Sequence, residues 1–112
     1  MAITRVLLSG GTSGKNILVS GTAPGTTIHT AHSSYTDEIY VDACNVSTSD
    51  VVATLWWGAT TTADQIIQTI PAQSGMITLS PGLQLTGSLV VKMSAATANV
   101  IAANGRVNRI ST

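Results

Sequence analysis

Apolar residues recur at every second position through most of this chain, and turn residues break the pattern at short intervals. From Glu38 to Cys44, Ile39, Val41 and Ala43 share one face while Tyr40 and Asp42 share the other. From Val51 to Trp57, Val51, Ala53, Leu55 and Trp57 line one side. In Leu89–Met93, Leu89, Val91 and Met93 point inward if Lys92 points to solvent. A period of two over such lengths belongs to half-buried strands of an antiparallel sheet. No stretch carries helical spacing. Ala63-Asp64 looks like a helix cap ahead of Gln65–Ile70, but the β-branched content and Pro71 make that segment a strand.

The breakers are Gly10-Gly11-Thr12-Ser13-Gly14, Ala23-Pro24-Gly25, Ser47–Asp50, Gly58-Ala59-Thr60, Ser74-Gly75 and Pro81-Gly82. Pro24-Gly25 and Pro81-Gly82 suit type II turns, in which Pro presets one dihedral and Gly supplies the positive one. The strands so bounded are 16–20, 27–32, 37–46, 51–57, 65–70, 76–80, 88–95 and 99–110, with a bulge expected at Gly105. About eight short strands with intervening turns predict an all-β fold, an antiparallel β-sandwich of jelly-roll type. At 112 residues the chain is one domain. Residues 1–15 read as an N-terminal arm, partly ordered and able to reach a neighbouring subunit, ahead of a single sandwich domain over 16–112.

Charge then narrows the function. Five basic and five acidic residues stand against 44% hydrophobic ones, where a soluble domain usually has about a quarter charged. The exposed positions must therefore be mostly neutral, a surface poorly protected against association. That points to a building block of an assembly. Five scattered cations give no footprint for phosphates, which excludes nucleic acid as a partner. Cys44 stands alone, so neither an intrachain disulfide nor a cysteine-based zinc site can form, and synthesis inside a cell fits. The apolar run in Met1–Gly11 is too short for a signal peptide or a membrane span. The sequon Asn45-Val46-Ser47 is read as chance.

Candidate chemistry is sparse. Gly10–Lys15 superficially matches a phosphate loop, but Ser9 stands where the leading glycine belongs and Asn16 where the magnesium-binding hydroxyl belongs. A turn is the better reading. His29 and His32, three apart in an extended strand, fall on opposite faces and cannot converge on a metal, so they are expected at the surface or an interface. Asp37, Glu38 and Asp42 read as solvent-face carboxylates, and Cys44 lacks the electropositive setting of a nucleophile. No catalytic residue, metal site, cofactor or small-molecule substrate is expected, and the chain is read as a non-enzyme. Trp56 and Trp57 must face opposite ways, with Trp57 inward by the alternation and Trp56 outward. An outward Trp anchors a protein interface, stacks on a sugar ring or lies under a covering segment.

Two stretches, Trp57–Asp64 running on to Ile70–Gly75, and Ala98–Ile101 with Asn104–Ile110, resemble small all-β virion proteins of tailed bacteriophages. The likeness covers roughly the second half of the chain. It implies a capsid decoration, or cement, protein that trimerises on the head exterior and bridges subunits of the major capsid protein, made in the host bacterial cytoplasm. It equally admits a receptor- or glycan-binding attachment module of a tail, baseplate or head fibre. Expected contact residues are Ile3, Val6 and Leu8 of the arm, Trp56, and the pair Arg106 and Arg109. Neither reading involves a membrane.

Overall fold

A computed structural model describes residues 1–111. Among them run nine strands: β1 (Ala2–Val6), β2 (Ile17–Leu18), β3 (Thr26–Thr30), β4 (Thr36–Asn45), β5 (Val51–Gly58), β6 (Gln65–Ile70), β7 (Ile77–Leu85), β8 (Val90–Ala95) and β9 (Ile101–Ser111). One turn of 3-10 helix, Thr62–Asp64, separates β5 from β6. All strand pairs are antiparallel, and they form two sheets. One has the order β1-β9-β4-β7 with β2 also on β9, and the other has the order β3-β8-β5-β6.

This order defines a jelly roll. Strand β2 pairs with β9, β3 with β8, β4 with β7 and β5 with β6, as though one long hairpin had been folded at β5–β6. Rolling that hairpin creates the two remaining pairings, β4 with β9 and β5 with β8, and closes the sandwich. The expected all-β sandwich is therefore what the chain forms. The segment read as an arm adds β1, which lies along β9 from Ala2 opposite Ser111 to Val6 opposite Val107.

The core follows the alternation. Ile39, Val41 and Ala43 of β4 face Val51, Ala53 and Leu55 of β5, joined by Ile70, Val91, Met93 and Val107. Fully burying each large aliphatic side chain stabilises the fold by roughly 1.5–3 kcal/mol. Trp57 packs on the rim of this core, on the side its parity predicted. Asn45, the sequon residue, is itself buried. Its amide donates to the Ser49 and Ile70 carbonyls at 2.8 and 2.9 Å, and its Oδ1 accepts from the N–H and Oγ of Ser47, which pins the β4–β5 turn.

Several local expectations need correction. Pro81-Gly82 is not a turn but lies inside β7, which runs on to Leu85. Pro is tolerated there because β7 is an edge strand, and its pairing with β4 shifts register twice nearby. The turn falls instead at Gly87-Ser88, both at positive φ, so Leu89 sits outside β8 and is exposed. No bulge occurs at Gly105. Strand β9 passes it in regular register with β4, and a side chain there would overlap the Tyr40 carbonyl.

The Gly10 loop has a structural task. It leaves β1 and crosses to the other sheet, where the Gly10 N–H donates to the Ile28 carbonyl at 2.9 Å. A Cβ at Gly10 would overlap the Thr27 carbonyl, so only glycine permits the approach. Gly10→Ala should lower stability by more than about 2 kcal/mol, whereas Gly75→Ala, with nothing within 4 Å of its Cβ position, should change it by less than about 0.5 kcal/mol. Urea midpoints of the two variants check this contrast.

Candidate functional site

The densest group of polar side chains lies inside the sandwich. Strand β3 carries a bulge. Thr27 opposes Lys92 and His29 opposes Val91, so Ile28 is the extra residue. The bulge breaks strict alternation, and both Ile28 and His29 become fully buried. This overturns the expectation that His29 lies at a surface. Asp37 is also fully buried, not a solvent-face carboxylate, and it has the same parity as Ile39 and Val41.

Asp37 gathers four donors. Arg109 of β9 donates from Nε to Oδ1 at 2.8 Å and from Nη2 to Oδ2 at 3.0 Å. His29 Nε2 lies 2.8 Å from Oδ2, and the His32 backbone N–H donates to the same oxygen at 3.2 Å. The Ser9 backbone N–H donates to His29 Nδ1 at 3.0 Å, which makes Nδ1 an acceptor and places the ring proton on Nε2. Burial alone would push the Asp37 carboxyl up. The two Arg109 bonds, the His29 bond, the Arg109 charge and the His32 N–H outweigh it and hold the group below the usual carboxylate range. Arg109 is held above its ordinary value, chiefly by its hydrogen bonds to Asp37.

Serine, histidine and aspartate thus meet in one place, but not as a hydrolytic triad. Ser9 presents its backbone N–H to the imidazole, while its Oγ accepts from the Thr30 N–H at 2.8 Å. Both imidazole nitrogens are engaged, so no lone pair remains to take a proton from a nucleophile. What the cluster does is mechanical. It joins β3 of one sheet to β4 and β9 of the other, and it holds the loop carrying Ser9 against both. The His32 ring, unlike its backbone N–H, lies outside the cluster, stacked on Tyr35 at 4.3 Å with its Nδ1 accepting the Ser34 and Tyr35 N–H groups. Among the described residues, no three His, Cys, Asp or Glu side chains are grouped to hold a metal ion. Cys44 is half-buried on the outward side of β4.

The surfaces that remain are the outer faces of the two sheets, and they differ. The five-stranded face presents Arg5, Glu38, Tyr40, Asp42 and Arg106, with Arg106 stacked over the Tyr40 ring at 4.3 Å. The four-stranded face presents Val52, Thr54 and Trp56 of β5, Ile67 and Thr69 of β6, and Val90, Lys92 and Ser94 of β8. Lys92 is its one charge. Trp56 lies half-buried there, its Nε1 donating to Ser94 Oγ at 3.2 Å. Beside it opens a shallow groove of about 260 Å³ between Trp56, Gly58, Ala59 and Thr60 on one side and Ser88, Leu89, Val90 and Lys92 on the other.

The sequence-predicted contact residues do not converge on one surface. Ile3 is exposed on the five-stranded face with Arg106, whereas Trp56 is on the opposite face. Val6 packs against the core, Leu8 is buried within it, and Arg109 is committed to Asp37. Leu8 and Arg109 therefore serve the interior. Sequence reasoning missed the His29–Asp37–Arg109 cluster, yet a signal was present: Asp37 shares parity with Ile39, and Arg109 with Val107. Comparison with protein-family models, with curated proteins and with solved structures gives no match.

Removing the Asp37 charge leaves the Arg109 guanidinium without its partner. A quarter of that side chain is open to water, so the loss should fall at or below about 3 kcal/mol, the lower end for a broken buried pair. Asp37→Asn should lower the guanidinium midpoint accordingly. The pH dependence has a definite sign. Because the folded carboxyl titrates below its unfolded value of about 3.9, its contribution is complete above that pH and is lost as pH falls through the lower, folded value. Wild-type stability should therefore drop steeply below about pH 4, and the drop should be shallower in Asp37→Asn, as midpoints measured across the acid range will show.

Proposed function

We propose that this chain is a structural component of a tailed-bacteriophage virion, a decoration protein that seats on the exterior of the head and bridges subunits of the major capsid protein. The observation that carries this reading is the outer face of the four-stranded sheet, whose outward groups are the exposed Val52, Ile67 and Thr69 and the half-buried Thr54, Val90 and Trp56, with Lys92 as its single charge. Solvent-facing strands normally carry charged residues on their outward positions, and a face without them is best explained by a partner that covers it. Trp on such a face is a frequent anchor, because it fills a pocket and loses little conformational freedom. The jelly roll and the resemblance of the second half of the chain to phage virion proteins add to the reading. A jelly roll is used by shells and by lectins alike, so the argument rests on the face.

In this reading each copy contributes a modest contact, and many copies together resist heat and internal pressure. The inner cluster at Asp37 keeps the sandwich rigid so that its neutral face is presented without rearrangement. No group on that face is placed for covalent chemistry, and the proposed role is non-enzymatic.

The groove beside Trp56 favours one second reading. Thr60, Ser88 and Lys92 place polar groups around an indole face, an arrangement that stacks on a sugar ring and hydrogen-bonds its hydroxyls. A glycan-binding attachment module would use the same residues. Two measurements separate the readings. Mixed with expanded heads lacking it, the protein should co-sediment with them. Trp56→Ala should weaken that binding by roughly 30-fold or more, the value of a single hot-spot anchor. Failure of the wild type to sediment with any shell, together with glycan-array binding abolished by Trp56→Ala, would replace the decoration reading with the attachment one.

A further inference from the structure

A sandwich of two open sheets has four edges, and in this chain three of them are guarded. The β3 edge is covered by the Ser9–Gly10 segment, through Gly10 N–H to the Ile28 carbonyl and Thr30 N–H to Ser9 Oγ. The β7 edge carries Pro81, Gly82 at positive φ and two register shifts against β4. The edge beyond β9 is divided between β1 and the two-residue β2, with Arg5 on β1. Proline, bulges, short strands, charges and covering loops are the devices by which proteins keep edges from pairing.

Strand β6 has none of them. Its sequence, Gln65-Ile66-Ile67-Gln68-Thr69-Ile70, holds no charge, proline or glycine, and Ile67, Gln68 and Thr69 are exposed in succession. Only β5 pairs with it. The backbone groups on its open side follow from one hydrogen bond. The Ala96 N–H donates to the Val52 carbonyl at 2.9 Å, so Val52, Thr54 and Trp56 turn their backbone groups toward β8. Val51, Ala53 and Leu55 then face β6, opposite Ile70, Gln68 and Ile66. Gln65, Ile67 and Thr69 are left facing outward. The Gln65 N–H is taken by the Thr62 carbonyl and the Thr69 carbonyl by Gln68 Nε2. What remains is both groups of Ile67, the Gln65 carbonyl and the Thr69 N–H.

This set is complementary to itself. We infer that two copies of this chain pair antiparallel through β6, with a two-fold axis at Ile67, joining their four-stranded sheets into one continuous sheet of eight strands. Each Ile67 N–H donates to the other copy's Ile67 carbonyl, and each Thr69 N–H donates to the other copy's Gln65 carbonyl. Four symmetric backbone bonds result. The two Ile67 side chains, exposed in the single chain, meet across the axis as a direct cross-strand pair. Antiparallel pairing also sets the two Asp64 carboxylates apart, three residues on either side of the axis, at about 20 Å. A parallel arrangement would put them side by side. A three-fold ring would require β6 to meet a different edge, and the other edges are blocked, so the self-complementary edge gives a dimer rather than the trimer the family resemblance implies. The inference does not rest on the shell reading and is tested on the purified protein alone.

Analytical ultracentrifugation of the wild type over a concentration series should show a species of twice the chain mass. Ile67→Lys, which opposes two ammonium groups across the axis, should shift it to the single-chain mass with an unchanged far-UV circular dichroism spectrum. A second measurement covers the case in which that variant misfolds. In a Cys44→Ala background, Ile67→Cys should oxidise to a disulfide-linked dimer, because directly opposed residues of such a pair have Cα atoms about 5.5 Å apart. Thr69→Cys, set well off the axis, should not. A wild type that stays monomeric or forms trimers, a dimer unmoved by Ile67→Lys, or equal cross-linking at both cysteine positions would each overturn the pairing. Capture by β6 of an unrelated strand in place of a second copy would appear as a monomer in this experiment and would count against it too.

Discussion

A buried carboxylate is tolerable only when its charge and lone pairs are met, and the arrangement of this molecule turns on how Asp37 is met. Its partners come from different elements: His29 from β3, the His32 backbone from the segment that follows, and Arg109, 72 residues on, from β9. Because β3 belongs to one sheet and β4 and β9 to the other, satisfying one side chain fixes the sheets against each other. Hydrophobic packing between sheets is nearly indifferent to small sliding, since aliphatic contacts have little direction. A bidentate guanidinium–carboxylate pair is not indifferent, and it selects one registration. The Ser9 N–H on His29 extends that selection to the loop that also covers the β3 edge.

With so few charges in the chain, their placement is informative. Asp37 and Arg109 are consumed internally, and Arg5, Glu38, Asp42 and Arg106 lie on the five-stranded face. Lys15, Asp50 and Asp64 lie in the segments between strands, which leaves Lys92 as the lone charge on the opposite face. Scarcity at the level of composition thus becomes asymmetry at the level of structure: one face of the sandwich carries four charges and the other carries one. The core itself is aliphatic, with Trp57 only at its rim, and Trp56 lies on the face whose one charge is Lys92.

Much of the fold was legible because the two sheet faces differ in polarity. Ile39, Val41 and Ala43, or Val51, Ala53 and Leu55, state their orientation by alternation alone, and the two tryptophans divide as adjacent strand residues must. Strand β1 was not legible, since it is held by backbone bonds to β9 and leaves Ile3 exposed, so no burial pattern marks it. Pro81-Gly82 misled because turn chemistry is local, whereas an edge strand accommodates the same residues through its own bulges against a partner distant in sequence. The polar cluster failed for a different reason. Alternation did place Asp37 and Arg109 inward, but the chemical type of each residue argued the reverse, and only the pairing of positions 72 apart reconciles them. The bulge at Ile28, which brings His29 to the same place, is invisible to periodicity because it breaks it.

The rolled-hairpin order has a consequence for how the chain comes to exist. Strand β1 lies on β9, and the carboxylate that fixes the sheets waits for Arg109 of that same strand. Until residue 109 emerges from the ribosome, β4 lacks one neighbour, β1 and β2 lack their only one, and Asp37 lacks its cation. Closure of the sandwich therefore waits for β9, a contact of high sequence separation. Through that interval the uncharged stretches later apportioned to core and face are all in solvent together. The same scarcity of charge that shapes the finished surface therefore leaves the unclosed chain with few charges to keep those stretches apart.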